Sequence, residues 1–151
     1  MRIYFEKLIS TFFGVGFSPI APGTASSAIT AIIIWFFIPT QSIYYIISII
    51  ILIPISAYFC GVGKKFWGKT DDGKIVLDEF IGMAIALICI PKNIYIFVIG
   101  FFLFRFFDIF KIFPARRAEK IKGGWGVLLD DIIVGLYTNI ILHFIKYVFK
   151  I

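Results

Sequence analysis

Apolar residues along this chain gather into five long stretches, separated by short segments that contain proline, glycine and charged residues. The stretches run approximately over Ala25–Ile38, Ser42–Cys60, Phe80–Ile90, Ile94–Phe107 and Ile132–Phe149. A membrane-spanning helix needs ~20 apolar residues, with ~17 at the lower end. The second and fifth stretches reach that length. The first and third reach it only if the polar turns before them are also helical, and the fourth is expected to continue as helix toward Phe113.

The pattern therefore predicts an all-α, polytopic membrane bundle of about five membrane-embedded helices, some of them short. The segment before the first stretch, MRIYFEKLISTFF, is too interrupted by charge for the core of a signal peptide. We expect it to form an amphipathic helix that lies in the membrane interface. No internal repeat or low-complexity linker divides the chain, so residues 1–151 are predicted to form a single domain.

The composition supports a membrane protein. The 151 residues are 60% hydrophobic and 16% charged, whereas soluble domains are ~45–50% apolar and ~25% charged. A mean hydropathy of +0.98 also excludes a disordered chain. The net charge of +6 lies in the gaps between apolar stretches. We therefore expect an anionic membrane surface or anionic lipid, and not a nucleic acid, as the partner.

The charge of the connections predicts the topology. Pro39–Gln41 and Pro91–Asn93 are short and almost uncharged, whereas Gly61–Glu79 and Arg105–Lys122 are rich in lysine and arginine. The positive-inside rule places the N-terminus and both long connections in the cytoplasm. The acidic residues then lie on the cytoplasmic side, and any chemistry is expected at that face. They are Glu6, Asp71, Asp72, Asp78, Glu79, Asp108, Glu119, Asp130 and Asp131.

Three groups of these acids adjoin apolar helices. Asp78 and Glu79 open the third stretch, Asp108 lies in the fourth, and Asp130 and Asp131 open the fifth. An acid near hydrocarbon costs a few kcal/mol unless it is paired or binds a metal. Singly, each group also fits a structural role, either with the helix dipole or in an ion-pair ladder along one helix. Together, they favour a site for Mg²⁺, Mn²⁺ or Ca²⁺.

Basic residues near these acids complement a phosphate group. Arg105 and Lys111 are each three residues from Asp108 and are expected on the same side of that helix. In the loop Ser18–Thr24, Thr24 precedes the first stretch, and Thr24 or Ser26 is expected to cap its helix. That helix N-terminus is either an anion site or a turn where the chain enters the membrane.

Several phosphatase mechanisms are excluded by what the sequence lacks. The single histidine, His143, follows Asp130 by thirteen residues, about 20 Å along a helix. Neither Cys60 nor Cys89 has an arginine six positions later, and no D-x-D-x-T or Walker motif is present. The two cysteines are predicted near opposite membrane faces.

Four motifs identify a family resemblance. They are GFSPIAPGT at Gly16–Thr24, VLDEFIGM at Val76–Met83, FRFFDIFK at Phe104–Lys111 and GGWGVLLDDIIVG at Gly123–Gly135. In their order and spacing the chain resembles the phosphatidylglycerophosphatase A family of small bacterial membrane phosphatases. The resemblance extends from about Gly14 to Phe144. The chain departs from the family pattern after Lys111, where Ile112 stands in place of the usual proline, and in the loop Lys64–Lys74.

The resemblance implies a Mg²⁺-dependent enzyme that removes the terminal phosphate of phosphatidylglycerophosphate to give phosphatidylglycerol. It implies a bacterial inner-membrane location with the active site facing the cytoplasm. The expected catalytic residues are Asp78, Asp108 and Asp131. The expected metal ligands are Asp78, Glu79, Asp108, Asp130 and Asp131, and the expected phosphate-binding residues are Arg105, Lys111 and Thr24.

Two questions stay open at the level of sequence. The nucleophile is either water activated by the metal or a carboxylate that forms an aspartyl phosphate. The alternative function is that of a small membrane transporter or a non-catalytic lipid-binding subunit, in which the interfacial carboxylates form an ion site. A transporter favours acids near the bilayer midplane, whereas these acids lie at helix ends.

Overall fold

The computed structural model describes residues 2–67, 73–111, 113–118 and 120–150, and this part of the chain is helical without any strand. The helices are α1 (Arg2–Ser10), α2 (Pro22–Phe37), α3 (Ile43–Trp67), α4 (Leu77–Ala86), α5 (Ile94–Phe110), α6 (Ala115–Ala118) and α7 (Gly124–Phe149), with a 3₁₀ turn at Val15–Phe17. The all-α prediction is confirmed. Two helices, α3 and α7, are long and apolar enough to cross a membrane, and α2 is a shorter apolar helix.

The helices begin or end at different residues from the apolar stretches that predicted them. The polar turns that precede the first and third stretches are helical, since α2 begins at Pro22 and α4 at Leu77. Even so, α2 has 16 residues and α4 only ten. The expected continuation of the fourth stretch ends at Phe110, because Lys111 adopts a left-handed conformation with φ of 45°. The prediction that Asp130 opens the fifth helix is wrong, because α7 begins six residues earlier, at Gly124.

The short helix α4 is the centre of the bundle. Ile81, Met83 and Ala86 are fully buried in its middle and last turns, and its most extensive packing is against α7. Gly82 permits this close approach, because a Cβ atom there would lie 2.8 Å from the carbonyl oxygen of Asp131. The backbone of α4 therefore lies directly against that of α7 beside the acidic residues.

Side chains from α7 and from the turn between α2 and α3 bond carbonyl groups at the C-terminal end of α4 and just beyond it. Asn139 Nδ2 donates to the carbonyl oxygens of Ala86 (3.0 Å) and Ile88 (2.8 Å). His143 Nε2 lies 3.2 Å from the same Ile88 oxygen, and Thr40 Oγ1 donates to the carbonyl of Ile90. Because unsatisfied carbonyls are costly in apolar surroundings, these contacts allow α4 to end within the bundle. They also give His143 a structural position away from the acids.

Candidate active site

Four helix ends converge at the opposite end of α4. Asp78 and Glu79 lie in the first turn of α4, Asp108 lies in the last turn of α5, and the first turn of α2 approaches them. Asp130 and Asp131 lie about two turns into α7. Gly124 allows the start of α7 to lie against the backbone of α3, because a Cβ atom at this position would clash with the carbonyl oxygen of Ala57. That contact holds the first turn of α7 against α3 and extends the helix ahead of the acids.

These residues line one cavity of about 290 Å³. Its lining includes all five predicted metal ligands and both predicted cations, namely Asp78, Glu79, Arg105, Asp108, Lys111, Asp130 and Asp131. Pro22 and Gly23 of α2 also contribute, whereas Thr24 is not among the lining residues. The structure thus brings together every predicted site side chain except that of Thr24.

Three of the carboxylates form a tight buried cluster. Asp78, Glu79 and Asp131 each offer an oxygen that lies within 4.8 Å of the others, and Asp78 and Asp131 are only 8% and 3% exposed. Within the described part of the chain, Asp78 Oδ1, Glu79 Oε2 and Asp131 Oδ1 are buried without a hydrogen-bond partner.

This arrangement fits a divalent cation. Buried carboxylates repel one another and lack the solvation that water gives them, so they require protons, basic partners or a metal. Unpaired carboxylate oxygens at short mutual distances are the ligands that hard cations such as Mg²⁺ and Ca²⁺ take. The donor set contains no cysteine or histidine, which disfavours softer metals.

Two cations flank the cluster. Arg105 Nη1 lies 2.7 Å from Asp108 Oδ2 and 3.5 Å from the hydroxyl of Ser27. Lys111 Nζ lies 3.9 Å from Asp130 Oδ2. Lys111 is the C-cap residue of α5 and reaches the cavity from there. This corrects the expectation that Lys111 lies on the same side of the helix as Asp108. The cavity thus contains both acidic and basic side chains, as a bound metal–phosphate pair requires.

The first turn of α2 contributes through its backbone. A Cβ atom at Gly23 would lie 3.0 Å from the carboxyl carbon of Glu79 and 3.3 Å from Arg105 Nη1, so glycine allows this close approach. The expected cap by Thr24 or Ser26 is wrong, because the N-cap residue is Ala21 and no side chain caps the helix. Instead, Ser26 Oγ donates to the carbonyl of Val76 at 2.7 Å. This bond ties α2 to the residue that precedes α4.

Ser27, which contacts Arg105, was missed because a buried serine in an apolar helix carries no distinctive sequence signal. Ser26 was considered only as a cap, and its bond to Val76 was not predicted. Gly23 had a signal, since it lies in the motif GFSPIAPGT. The cysteines are both free, with Cys60 buried near Val76 and Leu77 and Cys89 just past the other end of α4. Lys69, Asp71, Asp72 and Glu119 lie outside the described residues.

Comparison with known proteins identifies the same family as the motifs. The family model described as Phosphatidylglycerophosphatase A matches residues 8–146. The chain is 41% identical to phosphatidylglycerophosphatase A of Escherichia coli, covering 91% of this chain and 81% of that protein. It is 35% identical to phosphatidylglycerophosphatase A of Haemophilus influenzae, covering 93% and 88%.

A third relative carries a different name. A Bacteroides thetaiotaomicron protein, provisionally named as a phosphatidylinositol-3-phosphatase, is 37% identical over 96% of both chains. No solved structure matches the chain.

Proposed function

This chain belongs to the phosphatidylglycerophosphatase A family of phosphatases, and on that premise we propose that it hydrolyses the terminal phosphomonoester of phosphatidylglycerophosphate. The products are phosphatidylglycerol and phosphate. The observation that carries this proposal is the cavity in which five carboxylates from three helices meet two basic side chains. Such a cavity suits a metal-assisted reaction on a phosphate group.

The proposed cofactor is Mg²⁺, held by the cluster of Asp78, Glu79 and Asp131, with Asp108 and Asp130 beside it. The fit rests on the buried carboxylate oxygens that lack hydrogen bonds in this cluster. When bound, Mg²⁺ neutralises charge on the phosphoryl oxygens and polarises the phosphorus for attack. A neutral amide in place of one of these carboxylates retains the shape of the site but lacks the charge that this role requires.

Arg105 and Lys111 are the proposed phosphate-binding side chains. Asp108 fixes the Arg105 guanidinium by the 2.7 Å ion pair, which leaves its remaining donors available to phosphoryl oxygens. Thr24 was predicted to share this role, and it follows Pro22 and Gly23 in the first turn of α2. Its proposed contribution is its backbone N–H, because the first turn of a helix presents unpaired N–H groups to an anion.

Of the three predicted catalytic residues, Asp78 and Asp131 are proposed to act on the substrate directly, and Asp108 is proposed to act as a positioning residue. Asp78 Oδ1 and Asp131 Oδ1 are buried acceptors without a hydrogen bond within the described structure. Either can take the proton of a water that attacks the phosphorus, or attack the phosphorus itself to form an aspartyl phosphate. In both cases the bond between phosphorus and the glycerol oxygen breaks, and that oxygen takes up a proton as phosphatidylglycerol leaves. In the second case water then hydrolyses the aspartyl phosphate and releases phosphate. Asp108 acts through Arg105, whose position it holds.

We further propose that the bundle is embedded in the bacterial inner membrane through about five helices, with the acidic cavity facing the cytoplasm. Supporting this orientation, Lys64 and Lys65 lie at the end of α3, and Arg116 and Arg117 follow α5, so basic residues adjoin the cavity end. The helix α1 is proposed to lie in the interface, since Tyr4 and Phe5 are exposed on it. The exposed basic residues favour an anionic lipid surface.

The experiment is a substrate comparison with purified protein in detergent–lipid micelles. Phosphate release is measured from phosphatidylglycerophosphate and from phosphatidylinositol 3-phosphate, each with Mg²⁺ and with a chelator. We expect Mg²⁺-dependent release from phosphatidylglycerophosphate and a much lower kcat/KM for the inositol lipid. A higher kcat/KM for the inositol lipid would transfer the proposal to the substrate named for the Bacteroides relative. Release from neither would contradict a phosphatase and favour the ion-site alternative.

A further inference from the structure

An open apolar groove runs between α2 and α5 on the outside of the bundle. Its volume is about 360 Å³, and every residue that lines it is apolar. We call it the α2–α5 groove; its principal residues are Ala28, Ala31 and Trp35 on α2 and Phe97, Phe101 and Phe102 on α5. It is separate from the acidic cavity, with which it shares no lining residue.

The groove arises from unequal side-chain sizes. Ala28 and Ala31 lie one turn apart on α2 and leave space opposite the larger side chains of α5. Farther from the cavity, the rings of Trp35 and Phe97 meet edge to face with centroids 5.0 Å apart, which joins the two helices there. Because no hydrophobic force draws helices together within lipid, a gap of this kind in a membrane bundle can accommodate an acyl chain.

A continuous apolar surface connects the groove with the acidic cavity. A neighbouring depression on α5 shares Val98 and Phe102 with the α2–α5 groove. The same depression shares Arg105 and Ile109 with the acidic cavity. These shared residues place an apolar surface of α5 between Arg105 and the groove, along which the chain of a lipid whose phosphate lies beside Arg105 can extend.

The length of this path matches one leaflet of a bilayer. Ile94, at the far end of the groove, precedes Arg105 by eleven residues, or about 16 Å along a helix. Half of a typical hydrocarbon core is about 15 Å. A lipid with its headgroup at Arg105 and its chain along the groove is thus placed as it is in one leaflet.

We propose that the α2–α5 groove holds one acyl chain of the phosphomonoester lipid substrate while the phosphate occupies the acidic cavity. This inference rests on the proposed function and adds a binding site for the apolar part of the substrate. Since the chain is already in apolar surroundings before it binds, the groove contributes orientation more than affinity. It directs the headgroup toward the reacting residues. A lipid held in this way has already lost much of its translational and rotational freedom before the reaction, which lowers the entropic cost of reaching the transition state.

The direct test is photo-crosslinking of the unaltered protein in micelles. The probe is phosphatidylglycerophosphate with a diazirine at the middle of one acyl chain, photolysed before measurable phosphate release. The control is phosphatidylcholine with the same diazirine chain, which samples the lipid-facing surface without a terminal phosphate. We expect the substrate probe to label α2 and α5 around Ala31 and Phe101, with unlabelled substrate reducing this labelling. Equal labelling of the exposed α3 residues Ile47 and Ile50, or the same pattern from both probes, would overturn the inference.

A pair of variants gives an independent readout. Ala28→Trp fills the groove, whereas Ile29→Trp adds bulk at the next residue, which is exposed and does not line the groove. We expect Ala28→Trp to lower kcat/KM for the long-chain substrate about 10-fold or more through misplacement of the headgroup. Ala28→Trp should leave kcat/KM for a soluble analogue with acetyl chains unchanged. Ile29→Trp should leave kcat/KM unchanged for both the long-chain substrate and the soluble analogue. Equal kcat/KM for the long-chain substrate in both variants would contradict the groove.

The two proposals fail in distinguishable ways. Phosphate release from the substrate with uniform crosslinking would refute the acyl-chain site alone. An absence of phosphate release from every lipid would refute the proposed function, whatever the crosslinks. If Ala28→Trp does not fold, the crosslinking of the unaltered protein decides the question.

Discussion

Replacement of Arg105 tests whether the cavity binds phosphate. Arg105 is 14% exposed, and its ion pair with Asp108, itself 17% exposed, has a length of 2.7 Å. This pair fixes the guanidinium at the cavity wall, so Arg105→Ala removes a cation whose position is set before the substrate binds. A charge-assisted contact to the transferring group in a site of this kind is worth about 2–4 kcal/mol. We therefore expect Arg105→Ala to lower kcat/KM about 30- to 1,000-fold.

Arg105→Lys separates charge from geometry. Lysine retains the positive charge but lacks the planar fork that can contact Asp108 and a phosphate together. We expect Arg105→Lys to lower kcat/KM by an intermediate factor of roughly 5- to 30-fold, equal to about 1–2 kcal/mol of transition-state stabilisation. Because the contact is partly buried, the losses in both variants should persist when the ionic strength rises.

Matched controls lie on the exposed surface beyond α5. Lys120→Ala and Lys122→Ala remove exposed cations that do not line the cavity. Each should cost about 1 kcal/mol or less of membrane attraction, and salt should mask the effect. The assay is phosphate release in lipid micelles at low and high ionic strength, with circular dichroism to confirm folding. Small, salt-sensitive losses of equal size at Arg105, Lys120 and Lys122 would refute the assignment of Arg105 to the site.

The other predictions concern the carboxylates, Gly23 and Asn139. The variants Asp78→Asn, Asp108→Asn and Asp131→Asn should each fold and lose most turnover, measured as phosphate release. The reason is that the amide lacks the charge that a metal or Arg105 requires. Normal rates in all three variants would contradict the site. Gly23→Ala should displace the Glu79 carboxylate and lower kcat at least about 10-fold, and a rate unchanged at saturating Mg²⁺ would refute that contact. Asn139→Leu removes two hydrogen bonds to the end of α4 and should lower the free energy of unfolding by about 1–3 kcal/mol, measured by chemical denaturation, while KM is unchanged. A raised KM at normal stability would place Asn139 in the site.

The composition and apolar stretches suffice to predict an all-helical chain with helices long and apolar enough to cross a membrane, since these features depend only on residue type and period. Helix boundaries were less predictable because polar turns can be helical when they face protein. The last two turns of α3 extend past Cys60 to Trp67, with Lys64 and Lys65 near the C-terminus of the helix, where basic side chains are favourable. The six residues of α7 before Asp130 are helical because Gly124 packs against the backbone of α3.

The acidic site was predictable to a greater extent than the contacts that support it. Paired acids next to apolar helices are rare enough to indicate a site, and the structure brings all of them to one cavity. The supporting contacts join residues far apart in sequence. Ser26 bonds Val76 and Asn139 bonds Ala86, across 50 and 53 residues. No local pattern encodes such pairs, because they depend on which helices become neighbours.

Metal binding by the acidic cluster is the most direct test of the central claim, that Asp78, Glu79 and Asp131 form the ion site of a lipid phosphatase. Mn²⁺ is titrated into the metal-free protein in micelles, with binding followed by electron paramagnetic resonance and phosphate release measured on the same samples. The account predicts saturable binding that Mg²⁺ competes away, activity that rises with occupancy, and loss of both in Asp131→Asn. Full activity in the metal-free protein, or unchanged Mn²⁺ binding in Asp131→Asn, would contradict it.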